Sequence, residues 1–584
     1  MDHAGSSLSS YYLAELARLE DDSAAFAQEY PNIAGQLGLG REGPTDPHVR
    51  QLIESVAFIA ARLKAQIDQA PVQLAHGIVH TLAPELIGAI PSMAIARFTP
   101  KSARLEPVGA KLPASLRLRA SGAGGDCLFT AGAADVSLWP LALSAGPGQD
   151  PAYSAILRKA GIEARHSFVI RLDHAHKDLP SGMPGELSFL VSGALTRALA
   201  AMDVIALQVR QVHMVALDGS WSRALPPGSI AGLGFRPEHR LLPFAEPAQG
   251  VGLVSEFMHF ARRFCFFQAR NLACPVPARG FLLVLELDEK SLPTLVSVGP
   301  SLQLNCVPIV NLYPRGPTTL LLREPFEEHL IARPDPAPGA WDVFAVNRVR
   351  LVHGAQERVV EEFHGATGAF LPHGDAVTWQ GFRRERQRTS NGHASLRIRF
   401  ANLAQERAFD MALLDLTCCN CDAPRLLPVG AALEVQGWDG AYGATLETVP
   451  SAYVPPLLAG DDANVNLLKL LQHRGGGAVS MTQRVRQYLS ACHRAPLSGA
   501  RELGLDVQEV RRELVALPWP DMPLGAGMGM GCQYVVRYGR QTQGVEGRYL
   551  FARVLRRVLM QLHDMPVPAE VCMLGGDGEM IHVD

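Results

Sequence analysis

Residues 8–30 carry Leu8-Ser9-Ser10-Tyr11-Tyr12-Leu13-Ala14-Glu15-Leu16-Ala17-Arg18-Leu19 and then, after 20–25, Phe26-Ala27-Gln28-Glu29-Tyr30-Pro31. Tyr12, Leu16, Leu19, Phe26 and Tyr30 recur at close to a 3.5 period, the spacing of one helical stripe, and Pro31 ends the run. A polar loop follows, after which Asp46-Pro47 supplies an N-cap and a first-turn proline. The helix this predicts, to about Asp68, carries Val49, Leu52, Ile53, Val56, Ile59, Leu63 and Ile67 on one stripe and is about 30 Å long. A third helix is expected from Pro71 to near Pro84. The chain therefore opens on a helical hairpin or small bundle. The segment is too short to bury both stripes, which points to pairing with partner helices through Tyr12, Leu16, Leu19 and Phe26, and through Leu52, Val56 and Leu63.

Beyond Met93 the pattern changes to short Val-, Leu-, Ile- and Phe-rich runs punctuated by Gly and Pro, as strands of β-rich domains would show. Strands are expected at Met93–Phe98, Ser167–Asp173, Ile205–Val209, Phe281–Leu287, Trp341–Val346 and Leu396–Phe400. Helices are expected at 150–161 and 189–201. Pro455-Pro456 and Gly460-Asp461-Asp462 mark a boundary. After it come predicted helices at Val465–His473, Ser480–Cys492 and Val507–Leu517. A glycine-rich turn (Gly525, Gly527, Gly529, Gly531), a strand Cys532–Tyr538, a helix from about Gly547 to His563 and a closing hairpin of Glu570–Leu574 with Met580–Val583 complete the chain. The fold class is α+β: an N-terminal helical segment (1–90), two β-rich domains (91–300 and 301–455) and a C-terminal mixed α/β domain (456–584). No internal repeat of solenoid or propeller length is visible.

The chain has 584 residues, of which 47% are hydrophobic and 19% charged, a composition that excludes disorder throughout. Its 54 basic and 57 acidic residues leave a net charge of −3, so no overall basic field points to nucleic acid or an anionic membrane. The 54 glycines and 42 prolines argue for turns and short strands rather than an all-helical bundle. The longest uncharged stretch, Ser291 to Pro314, is broken by Pro293, Pro300 and Pro308 and cannot be a lipid-exposed helix. No signal peptide is read at the N-terminus. The ten cysteines are accordingly expected as reduced thiols, and the compartment as cytoplasmic.

Few residues offer chemistry. Asp173-His174-Ala175-His176-Lys177-Asp178 is the best metal-ligand candidate, because alternate residues of a strand would put both imidazoles on one face. A metal-dependent hydrolase built on Asp173, His174, His176 and Asp178 is the alternative function, against a solvated loop. Cys418-Cys419-Asn420-Cys421 contains one C-x-x-C without a matching second pair, so inert thiols are expected there rather than zinc. The glycines at 525–531 have neither the register nor the lysine of a phosphate loop. Arg511 and Arg512 on a predicted helix could mimic a recognition helix, but no basic domain surrounds them. No catalytic residue, cofactor or metal is expected.

The opening string, from Tyr11-Tyr12-x-x-Glu15-Leu16-x-x-Leu19 through Phe26-Ala27-x-x-Tyr30-Pro31-x-Ile33-Ala34-Gly35-x-Leu37-Gly38 to Asp46-Pro47-His48-Val49-x-x-Leu52-x-Glu54 and Ala57-Phe58-x-x-Ala61-Arg62, resembles the start of the TssF family (ImpG or VasA), a baseplate component of type VI secretion systems. Pro91-Ser92-Met93-Ala94-Ile95, Asn305-Cys306-Val307-Pro308-Ile309-Val310-Asn311-Leu312-Tyr313 and Cys418-x-Asn420-x-Asp422-x-Pro424 are similar to three later stretches of that family, in the same order. Two places depart: Ala261-Arg262-Arg263-Phe264 stands where the family has Pro-Glu-Lys-Phe, and the 525–531 loop is unlike most members. The resemblance implies a non-enzymatic scaffold, with two copies joining one TssG, and TssK and TssE attached. Such wedges surround the VgrG hub at the cytoplasmic face of the inner membrane and prime the TssB/TssC sheath. It also suggests self-association between wedges, for which Val558, Leu559 and Leu562 on the C-terminal helix are the candidates, and a turn that steadies the fold, in which the short side chains of Asn420 and Asp422 bond the local backbone.

Overall fold

The computed structural model describes residues 3–40, 43–44, 46–102, 108–132, 136–163, 165–174, 176–243, 249–322, 328–331, 341–363, 377–384, 395–401, 403, 409–438, 441–458, 463–472, 480–492, 494, 507–519, 527–538, 547–562, 568–574 and 580–583. Helices and strands are both abundant, and the class is α+β as expected. Two compact units form: residues 1–82 with 457–469, and residues 83–456 with 470–584.

In the first unit, α1 (His3–Glu29) lies against α2 (Pro47–Leu82). Tyr11 Oη donates to Asp68 at 2.9 Å and Lys64 Nζ meets Glu15 at 2.9 Å. Early α1 thus faces late α2, and the pair is antiparallel. Asp46 caps α2 by accepting the His48 N–H at 2.8 Å. The two helices expected on either side of Pro71 are one helix of 36 residues, with Pro71 inside it. An internal proline loses one hydrogen bond and costs about 3 kcal/mol. Burial of Ala75 and Val79 one and two turns later offsets that cost, and Pro71 itself sits on an exposed side.

The second unit is built on a closed barrel. Its strands β1 (Met93–Pro100), β2 (Arg117–Gly122), β3 (Gly125–Ala131), β4 (Cys306–Val310), β5 (Ala432–Gln436) and β6 (Tyr442–Leu446) follow the order β4-β1-β6-β5-β2-β3. The barrel's core includes Phe98, Leu118, Phe129, Ile309 and Leu446. Strands from both sides of residue 300 share it, so the sheets run across the boundary expected there. Closure leaves no open edge in this sheet, unlike the open sheets around it. Residues Ser167–Asp173 and Gly280–Glu286 pair at the centre of an antiparallel five-stranded sheet. A seven-stranded sheet contains Asp342–His353 and Met411–Cys419 and buries Trp341, Leu351 and Leu414. The strand expected at Ile205–Val209 is instead the end of helix α3 (Leu195–Leu207), and the first three residues of the expected 189–201 helix belong to the strand Glu186–Val191. Ala198, Leu199, Met202 and Ile205 share the buried face of α3, so packing overrides the β preference of a two-residue Val-Ile run.

After α4 (Gln249–Phe260) and α5 (Met481–Cys492), the segment 507–517 expected as a helix is the long strand β7 (Val507–Trp519), paired antiparallel with β8 (Gly527–Tyr538). A bulge between Val507 and Glu509 turns both Val507 and Val510 inward, which makes a strand imitate helical spacing. Gly527, Gly529 and Gly531 lie inside β8 rather than in a loop; Gly525 lies outside the described residues. A Cβ at Gly531 would come within 2.6 Å of the Leu517 side chain and 2.8 Å of the Pro568 carbonyl, so no larger residue fits. Helix α6 (Arg548–Gln561) leads to β9 (Ala569–Leu574), which runs parallel to β8 and pairs with β10 (Met580–Val583) as the expected hairpin.

The start of α6 rests on α3. Asp203 accepts N–H groups of Gly547, Arg548 and Tyr549 at 2.7, 3.0 and 3.1 Å. Burial nevertheless pushes the Asp203 carboxyl up to about 6, against those three donors, which pull it down. A carboxyl raised on folding contributes stability that is complete below about pH 4 and is lost as pH rises through about 6. Asp203→Asn removes that dependence. The stability of the wild-type chain relative to this variant is expected to rise by at most ~2.7 kcal/mol between pH 7 and pH 4, as read from urea unfolding at each pH.

Candidate assembly interface

The motif residues, scattered in sequence, converge on one buried knot beside barrel strand β3. Asn311 Nδ2 donates to the Leu128 carbonyl at 2.7 Å and to Asn420 Oδ1 at 2.8 Å, while Asn311 Oδ1 accepts the Asn420 N–H at 2.6 Å. Asn420 Oδ1 also accepts the Leu128 N–H at 3.0 Å, and its Nδ2 reaches the Asp126 carbonyl at 3.2 Å. The two asparagines thus stand in for a neighbouring strand, satisfying both backbone groups of Leu128. The Ser92 carbonyl accepts the Asn311 N–H at 2.8 Å, so the 91–95 motif joins the same knot. Asn305, at φ 58°, closes a second ring with its amide on both backbone groups of Trp139. Of the two residues expected to hold the turn, Asn420 does so, while Asp422 is exposed and its side chain caps nothing. Cys418, Cys419 and Cys421 are buried thiols beside the turn, none of them in a disulfide.

The metal candidate is not assembled. The strand ends at Asp173, and His174 is buried with Nδ1 accepting the N–H groups of His176 and Lys177 at 3.2 and 2.9 Å. That nitrogen is spent on a local turn, and His176 and Asp178 are exposed, so the two imidazoles do not share a face. Asp173 pairs with Arg171 at 3.4 Å. Among the described residues no three His, Cys, Asp or Glu side chains cluster as metal ligands. Arg511 and Arg512 lie on strand β7, not on a helix.

The interface candidates divide sharply. Val558, Leu559 and Leu562 are buried by this chain itself, as are Leu550, Val554 and Leu555. α6 packs against β9 on one side and against α3 and α4 on the other, so both of its apolar strips are used internally. Phe551 and Phe257 face each other across that contact, with ring centroids 6.0 Å apart. The residues expected to make the ring contact are therefore not exposed.

The N-terminal candidates behave oppositely. Tyr12, Leu16, Leu19 and Phe26 are half-buried along α1. On α2 the residues turned inward are small, with Ala57 and Ala61 fully buried, as is Ala27 on α1. The large residues point out: Leu52 is 64% exposed, Leu63 55% and Ile67 69%, with Val56, Ile59 and Leu74 also exposed. At 100° per residue these six fall within an arc of about 80°, and from Leu52 to Leu74 they run about 33 Å along one side. Leu74 was missed because the helix was expected to break at Pro71; the signal was the same period continuing past the proline. Glu15 lies in the α1–α2 contact, where the Lys64 ammonium holds its carboxyl below the usual range. Among the described residues no helix is long and apolar enough to cross a membrane.

Comparison with known proteins agrees with this architecture. The chain is 24% identical to the type VI secretion system component TssF1 of Pseudomonas aeruginosa (strain PAO1), over 94% of this chain and 93% of that protein. Its fold is similar to a chain in the cryo-electron microscopy structure of a type VI TssK-TssF-TssG baseplate subcomplex, at 19% identity and a TM-score of 0.73, covering 91% of this chain and 98% of the other. A chain of a type VI baseplate complex gives 18% identity and a TM-score of 0.58, covering 98% of each. The sequence model described as "Type VI secretion system, TssF" matches residues 4–565, and the chain belongs to that family.

Proposed function

We propose that this chain is a structural wedge subunit of a type VI baseplate, without catalysis of its own, that joins TssG and TssK through its N-terminal helical unit. The reading extends to two copies per TssG, to TssE, and to association between wedges around a VgrG hub that primes the TssB/TssC sheath in the cytoplasm. The observation that carries it is the inverted apolar order of α2. Alanines face α1 while Leu52, Val56, Ile59, Leu63, Ile67 and Leu74 line the open side. Small residues let two helices approach closely, and the outward stripe keeps the spacing that a partner helix grips. Each large side chain buried there contributes roughly 1.5–3 kcal/mol, so a few suffice for a stable complex.

Leu52→Asp with Leu63→Asp in the full chain tests this by co-purification with TssG. Both positions are exposed, so the circular dichroism spectrum should not change, while affinity for TssG should fall at least ~30-fold, about 2 kcal/mol. Capture of TssG at wild-type affinity by this variant would overturn the assignment of the stripe.

A further inference from the structure

β7 is an edge strand, and its outer side is plugged along only part of its length. Thr482 of α5 donates to the Val510 carbonyl at 3.5 Å and its Oγ1 accepts the Val510 N–H at 2.9 Å, while Arg486 donates to the Val507 and Gln508 carbonyls at 2.7 and 3.1 Å. Val510 therefore points its backbone groups outward, and in a strand the same holds for every second residue: Arg512, Leu514, Ala516 and Pro518. A second observation fixes this alternation. The Cys532 N–H bonds the Pro568 carbonyl on the far side of β8, at 2.9 Å. Its cross-strand partner Leu514 must then be in a non-hydrogen-bonded pair and face the open edge. Among the described residues no strand covers that edge, and Leu514 is 64% exposed.

The bare stretch has two stops. At one end Val510 is occupied by Thr482; at the other Pro518 has no N–H to give. Both lie four residues from Leu514. Three residues between the stops, Arg512, Leu514 and Ala516, each offer one donor and one acceptor. An antiparallel copy of the same edge matches all of them in one register alone, with Leu514 opposite Leu514 and Arg512 opposite Ala516. Moving the axis to Glu513 sets two glutamates face to face and aims Ala516 at the plugged Val510. Moving it to Val515 aims Arg512 at the proline. In the Leu514 register no like charges are directly opposed, and six backbone hydrogen bonds form.

We propose that the Arg512–Ala516 edge of β7 pairs antiparallel with the same edge of a second copy of this chain, about a two-fold axis at Leu514. This gives a surface to the association between wedges and rests on the wedge reading only for its setting. The contact is small, and it works where other contacts hold copies side by side.

In the Leu514 register Glu513 lies opposite Val515 of the second copy as a non-hydrogen-bonded pair. The Cα atoms of such a pair are about 4.5 Å apart, within disulfide reach. Glu513→Cys with Val515→Cys in the full chain, oxidised and run on a non-reducing gel, should give a disulfide-linked dimer; the ten native cysteines are all buried. Adding Leu514→Lys sets two ammonium groups at the axis and should lower the dimer fraction at least ten-fold. Circular dichroism of each variant checks that this exposed strand still folds. Absence of the cross-link, or a cross-link that survives Leu514→Lys, overturns the proposal. So does capture of a different protein's strand at this edge in place of the second copy. The cross-link is read at 513 and 515, so its failure leaves capture of TssG through α2 untouched, and the two readings fail separately.

Discussion

Arg263→Ala is expected to cost about 3–5 kcal/mol of stability in the larger unit. The Arg263 and Glu256 side chains are 1% and 0% exposed and form an ion pair at 2.5 Å. Neither end is free to move. Glu256 Oε1 accepts the N–H groups of Leu241 and Leu242 at 3.0 and 2.9 Å, and Arg263 donates to the Gly234 and His239 carbonyls at 3.0 and 2.7 Å. Burial pulls the guanidinium below its usual range, while the Glu256 carboxylate holds it up. Removing the cation leaves a buried carboxylate without its counter-charge and takes a donor from the Gly234 and His239 carbonyls. Replacing both partners with apolar residues often rescues a buried pair. Here it should not, because Glu256→Met with Arg263→Met still strands four backbone groups. Urea unfolding of the two single variants and the double variant checks this. A double variant as stable as wild type would show that the pair acts alone and not as a brace for 234–242.

Arg263 also shows what the sequence could and could not convey. At the departure Ala261-Arg262-Arg263-Phe264 the second cation is buried, and its partner Glu256 lies seven residues upstream in α4. Helical periodicity was legible where one face of a helix stays open, as on α2. The stripe of Leu52, Val56 and Leu63, expected to face partner helices, is the exposed one; what was not legible is that alanines fill the buried face, because hydrophobicity assigns the large residues to the core. The same blindness worked in reverse on α6, where a broad apolar surface suggested a partner and the chain's own α3, α4 and β9 fill it. Strands Ser167–Asp173 and Met93–Pro100 were legible from local composition. β7 was not, because its bulge reproduces helical spacing and its identity depends on pairing with β8. Pairing partners distant in the chain leave no local mark.

The Asn311–Asn420 knot is the furthest case of such non-local structure, since it ties 92, 128, 311 and 420 together. Asn420→Ala removes acceptors from the Leu128 and Asn311 donors and a donor from the Asp126 carbonyl, all beside a buried backbone. Each orphaned group costs about 1–3 kcal/mol, partly recovered by water at the half-open Leu128 side, so a loss of about 3–4 kcal/mol is expected. Asn311→Ala should cost a similar amount, because it strands the Leu128 carbonyl and the Asn420 N–H. The two are not independent. Once one asparagine is gone the other has lost its best partner, so the double variant should fall short of the sum by 1 kcal/mol or more. Neither thiol belongs to the amide ring of Asn311 and Asn420, and Cys419→Ser with Cys421→Ser should disturb it far less than either asparagine truncation. A double-mutant cycle by urea unfolding of the full chain is the measurement. Strict additivity would mean that each asparagine serves its own turn and that the convergence of the three motifs has no energetic meaning. Coupling would instead explain why residues from three distant stretches take these identities together: the closed barrel and the seven-stranded sheet are sewn to each other at this point, and the sewing holds only when both amides are present.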